Sequence, residues 1–332
     1  MKAWIALLGF TLITQTTLAY VPISEEKLAE LVESFNYQPE VKYLKKPKTT
    51  CEAQDFSYTV TYPQRKDPLT IKGKSFIPVV AAGQPKVPVI FLLPPMGGTN
   101  TLDMGAGRKF CENNMATFII SSNLTGLDSP TLVPVTDHDH THRRIAAALK
   151  GGMLLVKTHP EINSEKVGLF GASLGGILGS VAYSVIPEIS AVTFLVNGAD
   201  VPHILATSTQ SEVVNLKKAR KKEQGFKTDA EYEAYLNKHL EIDPLHFVKM
   251  IDPNTVRLYL SKADDMVPSV DQMKYYEALG SPKAIKFYES GHVSTIISVM
   301  GLSGELQKTA DWFKKRFAMR NPRIPDYKLA AN

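Results

Sequence analysis

The feature that most constrains the fold is a regular alternation of short apolar runs with longer amphipathic stretches. The run VPVIFLLPP (87–95) is apolar at nearly every position, as expected of a strand that is covered on both faces. The stretch from about Asp137 to Lys157 is typical of an amphipathic helix. Strands that alternate with helices predict an α/β fold, with a mixed, mostly parallel sheet and helices on both faces.

The individual elements follow from the same patterns. Ser24 is predicted to cap a helix over 24–35, and strands at 56–63 and 71–80 are joined by a short turn that favours an antiparallel pair. The remaining strands are predicted at 87–95, 116–124, 166–172, 191–199, 256–263 and 284–290, and the remaining helices at 137–157, 173–185, 270–279 and 294–318.

One segment interrupts this alternation. Residues 203 to about 250 lie between two predicted strands and are too long for a single crossover helix. They contain two or three helical stretches, including SEVVNLKKARKKEQ and DAEYEAYLNKHL. We therefore expect a helical insertion that covers the carboxyl edge of the sheet as a lid.

The first residues predict export. Lys2 precedes an apolar stretch that ends in Thr17-Leu18-Ala19, the layout of a secretory signal peptide over residues 1–19. The apolar part is short for a membrane span, although a single N-terminal anchor helix is the alternative reading. The mature chain is then expected to begin at Tyr20, in the periplasm or outside the cell, without a stable membrane span. Residues 20–50 are predicted to form an N-terminal helical extension, and residues 51–332 the main domain.

Cysteine content and charge limit the chemistry further. An exported protein meets oxidising conditions, so Cys51 and Cys111 form either one disulfide or two buried free thiols. Neither belongs to a C-x-x-C pair, which argues against redox or zinc chemistry at these residues. The formal net charge of +5 is mild for 332 residues, so no nucleic-acid partner is expected. The oligomeric state stays open.

A serine stands where a strand gives way to a helix, in KVGLFGASLGGILGS (166–180). Ser173 has Gly171 and Gly175 on either side, and glycine tolerates the crowded backbone of a sharp turn. Such a turn exposes the hydroxyl as a nucleophile, and the N–H of Leu174 at the start of the helix is directed at a developing oxyanion. A simple glycine-rich turn is the alternative.

Three further loops follow predicted strands, where α/β sheets bind their ligands. His292 in SGHVS is a candidate base, and Asp264 or Asp265 in SKADDMVP is a candidate for the acid that orients it. The PPMGG stretch offers the N–H of Met96 or Gly97 as a second oxyanion donor.

The stretch TDHDHTHRR (136–144) raises a separate possibility. His138 and His142 are four residues apart, so a helix places them on one face, as in some metal sites. No H-E-x-x-H motif is present, and a solvated helix start explains the same residues. We therefore expect no metal here.

On these motifs, the chain from about Phe56 to Phe317 resembles the α/β-hydrolase superfamily. GASLG is similar to the nucleophile motif of that family, SGH to its histidine loop and PPMGG to its oxyanion loop, which implies Met96 as the donor. SKADDMVP is similar to its G-x-x-D-x-x-V-P acid loop, which selects Asp264. In some branches the acid follows the preceding strand, and Asp200 is then the candidate. The order Ser173, Asp264, His292 is the order of this family.

The resemblance implies a serine hydrolase that needs no cofactor. A carboxylic ester hydrolase that acts on a small-molecule or lipid-like ester through an acyl-enzyme is the first expectation. A peptidase, an acyltransferase and a non-catalytic binding protein on the same fold are the alternatives. The acyl and alcohol groups of the substrate stay open.

Overall fold

Nine strands form one sheet in the computed structural model, which describes residues 20, 22–121, 134–301 and 304–319. The predicted signal peptide lies outside the described residues. The strands are β1 (Val41–Lys45), β2 (Thr50–Tyr62), β3 (Arg65–Ile77), β4 (Val87–Leu93), β5 (Ala116–Ile120), β6 (Ile162–Ala172), β7 (Ile189–Leu195), β8 (Val256–Ser261) and β9 (Ala284–Tyr288).

The strand order across the sheet is β1-β2-β3-β5-β4-β6-β7-β8-β9. The contacts from β1 to β3 and from β3 to β5 are antiparallel, and the contacts from β5 to β9 are parallel. The predicted fold class, a mixed and mostly parallel sheet, is therefore confirmed. All the parallel strands end at one edge of the sheet, and the loops that follow them lie together there.

Helices connect and cover these strands. They are α1 (Glu25–Ser34), α2 (Thr101–Glu112), α3 (Asp137–Lys157), α4 (Leu174–Val185), α5 (Val201–Thr207), α6 (Ser211–Gln224), α7 (Asp229–His239), α8 (Pro244–Phe247), α9 (Ser269–Ala278), α10 (His292–Met300) and α11 (Glu305–Phe317), with short 3-10 turns at Val248–Met250 and Pro253–Thr255. Four of the helices, α5 to α8, fall within or next to the predicted insertion at 203–250. In the described part of the chain, no helix is long and apolar enough to cross a membrane.

The core has two layers, one on each face of the sheet. Val89, Phe91 and Leu93 of β4 pack with residues of α3 and α4, whereas Ile90 and Leu92 pack with residues of α2, α10 and α11. The apolar run at 87–95 is thus buried from both sides, as its sequence predicts.

The structure differs from the predicted elements in three places. The predicted helical extension also contains a strand, β1, whose lysine-rich VKYLK sequence gave no strand signal. Helix α2 was not predicted, although Asn100 and Asp103 form a capping box at its start. The predicted helix at 294–318 is two helices, α10 and α11, and Gly304 caps the second in a left-handed conformation with φ of 75°.

The two cysteines are joined. Cys51 on β2 forms a disulfide with Cys111 near the end of α2. Of the two alternatives that the sequence leaves open, the structure has the bridged one. The bond links β2, the second strand from one edge of the sheet, to α2, the helix that precedes β5.

Candidate active site

Ser173 lies at the sharp turn between β6 and α4. Its backbone has φ of 52° and ψ of −123°, a conformation that a non-glycine residue adopts only when the surrounding structure enforces it. The Ser173 N–H donates a hydrogen bond to the carbonyl oxygen of Leu195 at 2.8 Å, which holds the turn against the end of β7. The predicted strand-to-helix junction is therefore present.

The glycines around Ser173 are required by close packing. A Cβ atom on Gly175 would lie 2.2 Å from the carbonyl oxygen of Leu93 and 2.5 Å from that of Pro94. A Cβ atom on Gly171 would lie 2.5 Å from the carbonyl oxygen of Gly175. These contacts are with backbone atoms, which cannot move aside as a side chain does, so the turn fits against the end of β4 only with glycine at these positions.

Three side chains from distant parts of the sequence form one hydrogen-bonded chain. His292 Nε2 lies 2.9 Å from Ser173 Oγ, and His292 Nδ1 lies 2.6 Å from Asp264 Oδ2. A carboxylate only accepts hydrogen bonds, so Nδ1 of the neutral imidazole carries the proton. Nε2 then keeps the lone pair that accepts the serine hydroxyl, which is the arrangement a base requires.

The structure distinguishes between the three candidate acids. Asp264 has a fully buried carboxylate that contacts His292. Asp265 is exposed. Asp200 is buried, but its carboxylate accepts hydrogen bonds from Lys274 Nζ at 2.6 Å and from the backbone N–H of His203 at 3.4 Å. Of the three, only Asp264 contacts the imidazole in the described structure.

A cavity of about 490 Å³ lies above Ser173, at the carboxyl edge of the parallel strands. Leu174 and Met96, the predicted oxyanion donors, both line it together with Ser173 and His292. The other described residues around the cavity are mainly apolar: Pro95, Asn100, Leu102, His138, Ile177, Val201, Ile204, Leu205, Ser208, Gln210, Ser211, Val213, Met266, Val267, Val293 and Ile296.

Helices of the predicted insertion form one wall of this cavity. Ile204 and Leu205 of α5 line the cavity and pack against Tyr232 and Leu236 of α7. Val213 of α6 also contributes to the wall. The predicted insertion therefore contributes helices that line one side of the cavity, and its role as a lid stays a prediction.

Charged groups attach α5 to α9. His203 Nδ1 lies 2.8 Å from Asp271 Oδ2, and this hydrogen bond raises the pKa of His203 above its usual value. Lys274 Nζ contacts both Asp271, at 3.1 Å, and Asp200, at 2.6 Å. No sequence pattern predicts this cluster, because its two halves, Asp200 with His203 and Asp271 with Lys274, are 68 to 74 residues apart where they contact each other.

Gln272 is a further residue that sequence reasoning missed. Its amide contacts the Asp264 carboxylate at 2.7 Å, and the side chain is almost completely buried. Gln272 is only eight residues after Asp264, but nothing in the sequence shows that α9 directs this side chain back toward the loop that precedes the helix.

The pair His138 and His142 lies inside the protein instead of at a solvated helix start. Burial lowers the pKa of His138 to about 4 and that of His142 well below its usual value, so both imidazoles are neutral at pH 7. His138 Nε2 and both ring nitrogens of His142 are buried without hydrogen-bond partners. Across the described ranges, no group of three or more His, Cys, Asp or Glu side chains converges as metal ligands do.

A family model described as BAAT / Acyl-CoA thioester hydrolase C terminal matches residues 150–293. This segment contains Ser173, Asp264 and His292. No curated protein sequence matches the chain significantly.

Solved structures with similar folds include two esterases and a peptidase. Acetyl xylan esterase 1 from Thermoanaerobacterium sp. JW/SL YS485 superposes with a TM-score of 0.62 at 17% identity, covering 89% of this chain and 95% of that one. An acetyl xylan esterase from Paenibacillus sp. R4 has a TM-score of 0.61 at 12% identity, covering 87% and 92%. An acylaminoacyl peptidase from Pyrococcus horikoshii has a TM-score of 0.54 at 15% identity, covering 90% of this chain but 44% of the peptidase.

Proposed function

Starting from the α/β-hydrolase fold of this chain, we propose that it is an exported serine hydrolase that cleaves carboxylic esters through an acyl-enzyme. The observation that carries this proposal is the unbroken hydrogen-bonded chain from Ser173 through His292 to Asp264. Nucleophile, base and orienting acid stand in hydrogen-bond contact beside a cavity, which is the geometry that nucleophilic catalysis requires.

The proposed reaction has two halves. In the first, His292 Nε2 takes the proton of the Ser173 hydroxyl while Oγ attacks the ester carbonyl carbon. The negative charge develops on the carbonyl oxygen, and the backbone N–H groups of Leu174 and Met96 stabilise it. When the tetrahedral intermediate collapses, the bond to the alcohol breaks and His292 donates its proton to the leaving oxygen.

In the second half, His292 removes a proton from water, and the resulting hydroxide attacks the acyl-enzyme. Collapse of the second tetrahedral intermediate breaks the bond to Ser173 Oγ, and His292 returns the proton to the serine. The carboxylic acid leaves and the resting enzyme is restored. Asp264 stays ionised throughout and stabilises the imidazolium that forms in each half.

The cavity supports an uncharged acyl group larger than acetyl. Its volume of about 490 Å³ is more than three times that of a cavity that holds benzene, about 150 Å³. Among the described residues that line it, histidines are the only ionisable ones. The apolar wall therefore favours an aliphatic or aromatic acyl chain over a charged one.

Hydrolysis of thioesters is a second candidate. The family model that covers all three site residues is described by acyl-CoA thioester hydrolysis. The same acyl-enzyme accounts for both activities, because only the leaving group differs. The acylaminoacyl peptidase among the similar folds is weaker support for cleavage of amides, since it reflects the fold alone.

The proposal that the protein is exported rests on two observations. The first 19 residues have the pattern of a signal peptide, and Cys51 and Cys111 form a disulfide of the kind that persists in oxidising compartments. Expression of the full chain with N-terminal sequencing of the mature product tests this, and Tyr20 is the expected first residue.

A fluorophosphonate probe tests the enzymatic proposal directly. The probe should label the wild-type protein and fail to label Ser173→Ala, whereas Ser294→Ala, which changes an exposed serine two residues after His292, should be labelled normally. Matched p-nitrophenyl esters, thioesters and anilides of increasing acyl length then show which type of bond, and which length of acyl group, the enzyme hydrolyses fastest. A folded wild-type protein that the probe leaves unlabelled would favour the non-catalytic binding protein.

A further inference from the structure

Gln272 lies in the first turn of α9, and its side-chain amide is fully hydrogen-bonded. Nε2 donates to Asp264 Oδ2 at 2.7 Å and to the carbonyl oxygen of Val267 at 2.8 Å. Oε1 accepts from the backbone N–H of Ser261 at 2.9 Å. The residue is 1% exposed, so in the described structure these protein groups take the place of water as its hydrogen-bond partners.

These contacts fix the orientation of the amide. The N–H of Ser261 is only a donor, so it has to face Oε1. The carbonyl oxygen of Val267 only accepts, so it has to face the NH₂ group. In a flipped amide, the NH₂ group would face the N–H of Ser261, so two donors would oppose each other. The amide oxygen would face the Asp264 carboxylate and the Val267 carbonyl oxygen, which are both acceptors, and such unsatisfied contacts are costly in a buried site. Gln272 therefore presents an N–H to Asp264 in one defined direction.

The oxygen that receives this N–H is the one that contacts the imidazole. Asp264 Oδ2 accepts from both Gln272 Nε2 and His292 Nδ1, while Oδ1 accepts from the N–H groups of Met266 and Val267, both at 3.0 Å. Four donors thus hold the two carboxylate oxygens. Three of them come from the loop after β8 and from α9, and they fix the carboxylate independently of His292.

We infer that Gln272 is a positioning residue, which holds Asp264 Oδ2 in line with His292 Nδ1 and so sets the direction of Nε2 toward Ser173. The inference rests on the proposed function, in which Asp264 orients His292. Gln272 is absent from the described cavity lining and contacts neither the imidazole nor the serine hydroxyl, so it acts only through Asp264.

Gln272→Glu is the most informative variant. A glutamate keeps the size of the side chain and an acceptor for the Ser261 N–H, but it loses the N–H that faces the Val267 carbonyl oxygen, so folding of the variant is checked by thermal unfolding. It donates to Asp264 Oδ2 only when it is protonated, because two carboxylates in contact cannot both be ionised without strong repulsion. At low pH the shared proton replaces the glutamine N–H. As the pH rises and that proton leaves, two negative charges face the imidazole and stabilise its protonated form, so the free base appears only at a higher pH than in wild type.

The rate of fluorophosphonate labelling of Ser173 is measured from pH 5 to 9 for wild type, Gln272→Glu and Glu277→Gln, with thermal unfolding as a check of folding. We expect the labelling rate of Gln272→Glu to reach its plateau at a higher pH than that of wild type. Glu277→Gln, which makes the reverse change on the exposed side of the same helix, should follow the wild-type profile.

Gln272→Met, which lacks the donor at every pH, should reduce kcat about 10²-fold, and KM should stay within about twofold because the cavity is unchanged. A folded Gln272→Glu whose pH profile parallels that of wild type overturns the inference and leaves the proposed function intact. An unlabelled but folded wild type overturns the proposed function first.

Discussion

Asp264 and His292 are 28 residues apart in sequence, yet Oδ2 of one lies 2.6 Å from Nδ1 of the other. The contact arises because β8 and β9 are neighbouring parallel strands, paired to their last residues at Ser261 and Tyr288. Asp264 and His292 follow these two strand ends by three and four residues, so the sheet brings their loops together. The side-by-side ends of two strands thus create the contact between Asp264 and His292.

Replacing Asp264 with asparagine should lower kcat by roughly 10³- to 10⁴-fold. The amide has the shape of the carboxylate, but it presents an N–H to His292 and favours the wrong tautomer of the imidazole. Steady-state hydrolysis of a p-nitrophenyl ester measures the effect. Asp265→Asn removes the same charge from the exposed neighbour and should keep kcat within about threefold. Equal losses in the two variants would contradict the assignment of Asp264.

Gly175→Ala should impair both stability and turnover. The new methyl group would lie 2.2 Å from the carbonyl oxygen of Leu93, so the turn at Ser173 has to move away from the end of β4. We expect a loss of about 1 to 3 kcal/mol in the free energy of unfolding, measured by urea denaturation, and a fall in kcat. Gly105→Ala is the matched control, because nothing lies within 4 Å of its added Cβ on the exposed side of α2. It should raise the free energy of unfolding by about 0.5 to 1 kcal/mol.

Loss of the disulfide should destabilise the protein without changing the chemistry. Cys51 and Cys111 are 60 residues apart, so their bond removes considerable freedom from the unfolded chain. The double variant Cys51→Ala, Cys111→Ala is expected to have a free energy of unfolding about 2 to 4 kcal/mol lower than that of wild type. A reductant should lower the melting temperature of wild type and leave that of the double variant unchanged. A reductant effect on the double variant would show that the bond is not its target.

The buried histidines should make the protein sensitive to acid. Burial holds the pKa of His138 at about 4 and that of His142 well below 6.5, whereas both titrate near 6.5 in the unfolded chain. The unfolded state therefore binds more protons as the pH falls from about 6.5. Their contribution to stability is complete above that pH and is lost progressively below it, by up to about 1.4 kcal/mol per pH unit for each histidine.

His142→Phe isolates this effect, since it keeps an aromatic ring in the core and removes one of the two histidines that take up a proton on unfolding at low pH. The free energy of unfolding of wild type, minus that of the variant, should fall as the pH is lowered from 6.5 to 4. Asp139 and Asp103, whose pKa values burial raises to about 6, titrate in both proteins and cancel in the difference. His140→Phe, at an exposed position on the same helix, should show no such pH dependence. A constant difference for His142→Phe would contradict the buried neutral state.

Much of the fold was predictable because its signals are local. Helix α3 has the predicted bounds, and every predicted strand is present with ends shifted by up to six residues. Helix α2 and strand β1 were missed, since a capping box and a half-exposed lysine-rich strand give weaker signals than apolar periodicity. The two histidines on α3 were interpreted as solvated, because a sequence does not reveal which side of a helix start another segment covers.

The sequence by itself determined the turn at Ser173, most of the order of strands and helices along the chain, and the side chains available at the strand ends. Each depends on neighbours in the chain, such as glycines that permit a tight turn. Only the tertiary structure decided which aspartate contacts His292, that Cys51 pairs with Cys111, and that Gln272 holds the carboxylate. The first two choices depend on distances between segments that the chain brings together only when the sheet forms and its two faces are covered, and the third depends on how α9 packs back against the loop that precedes it.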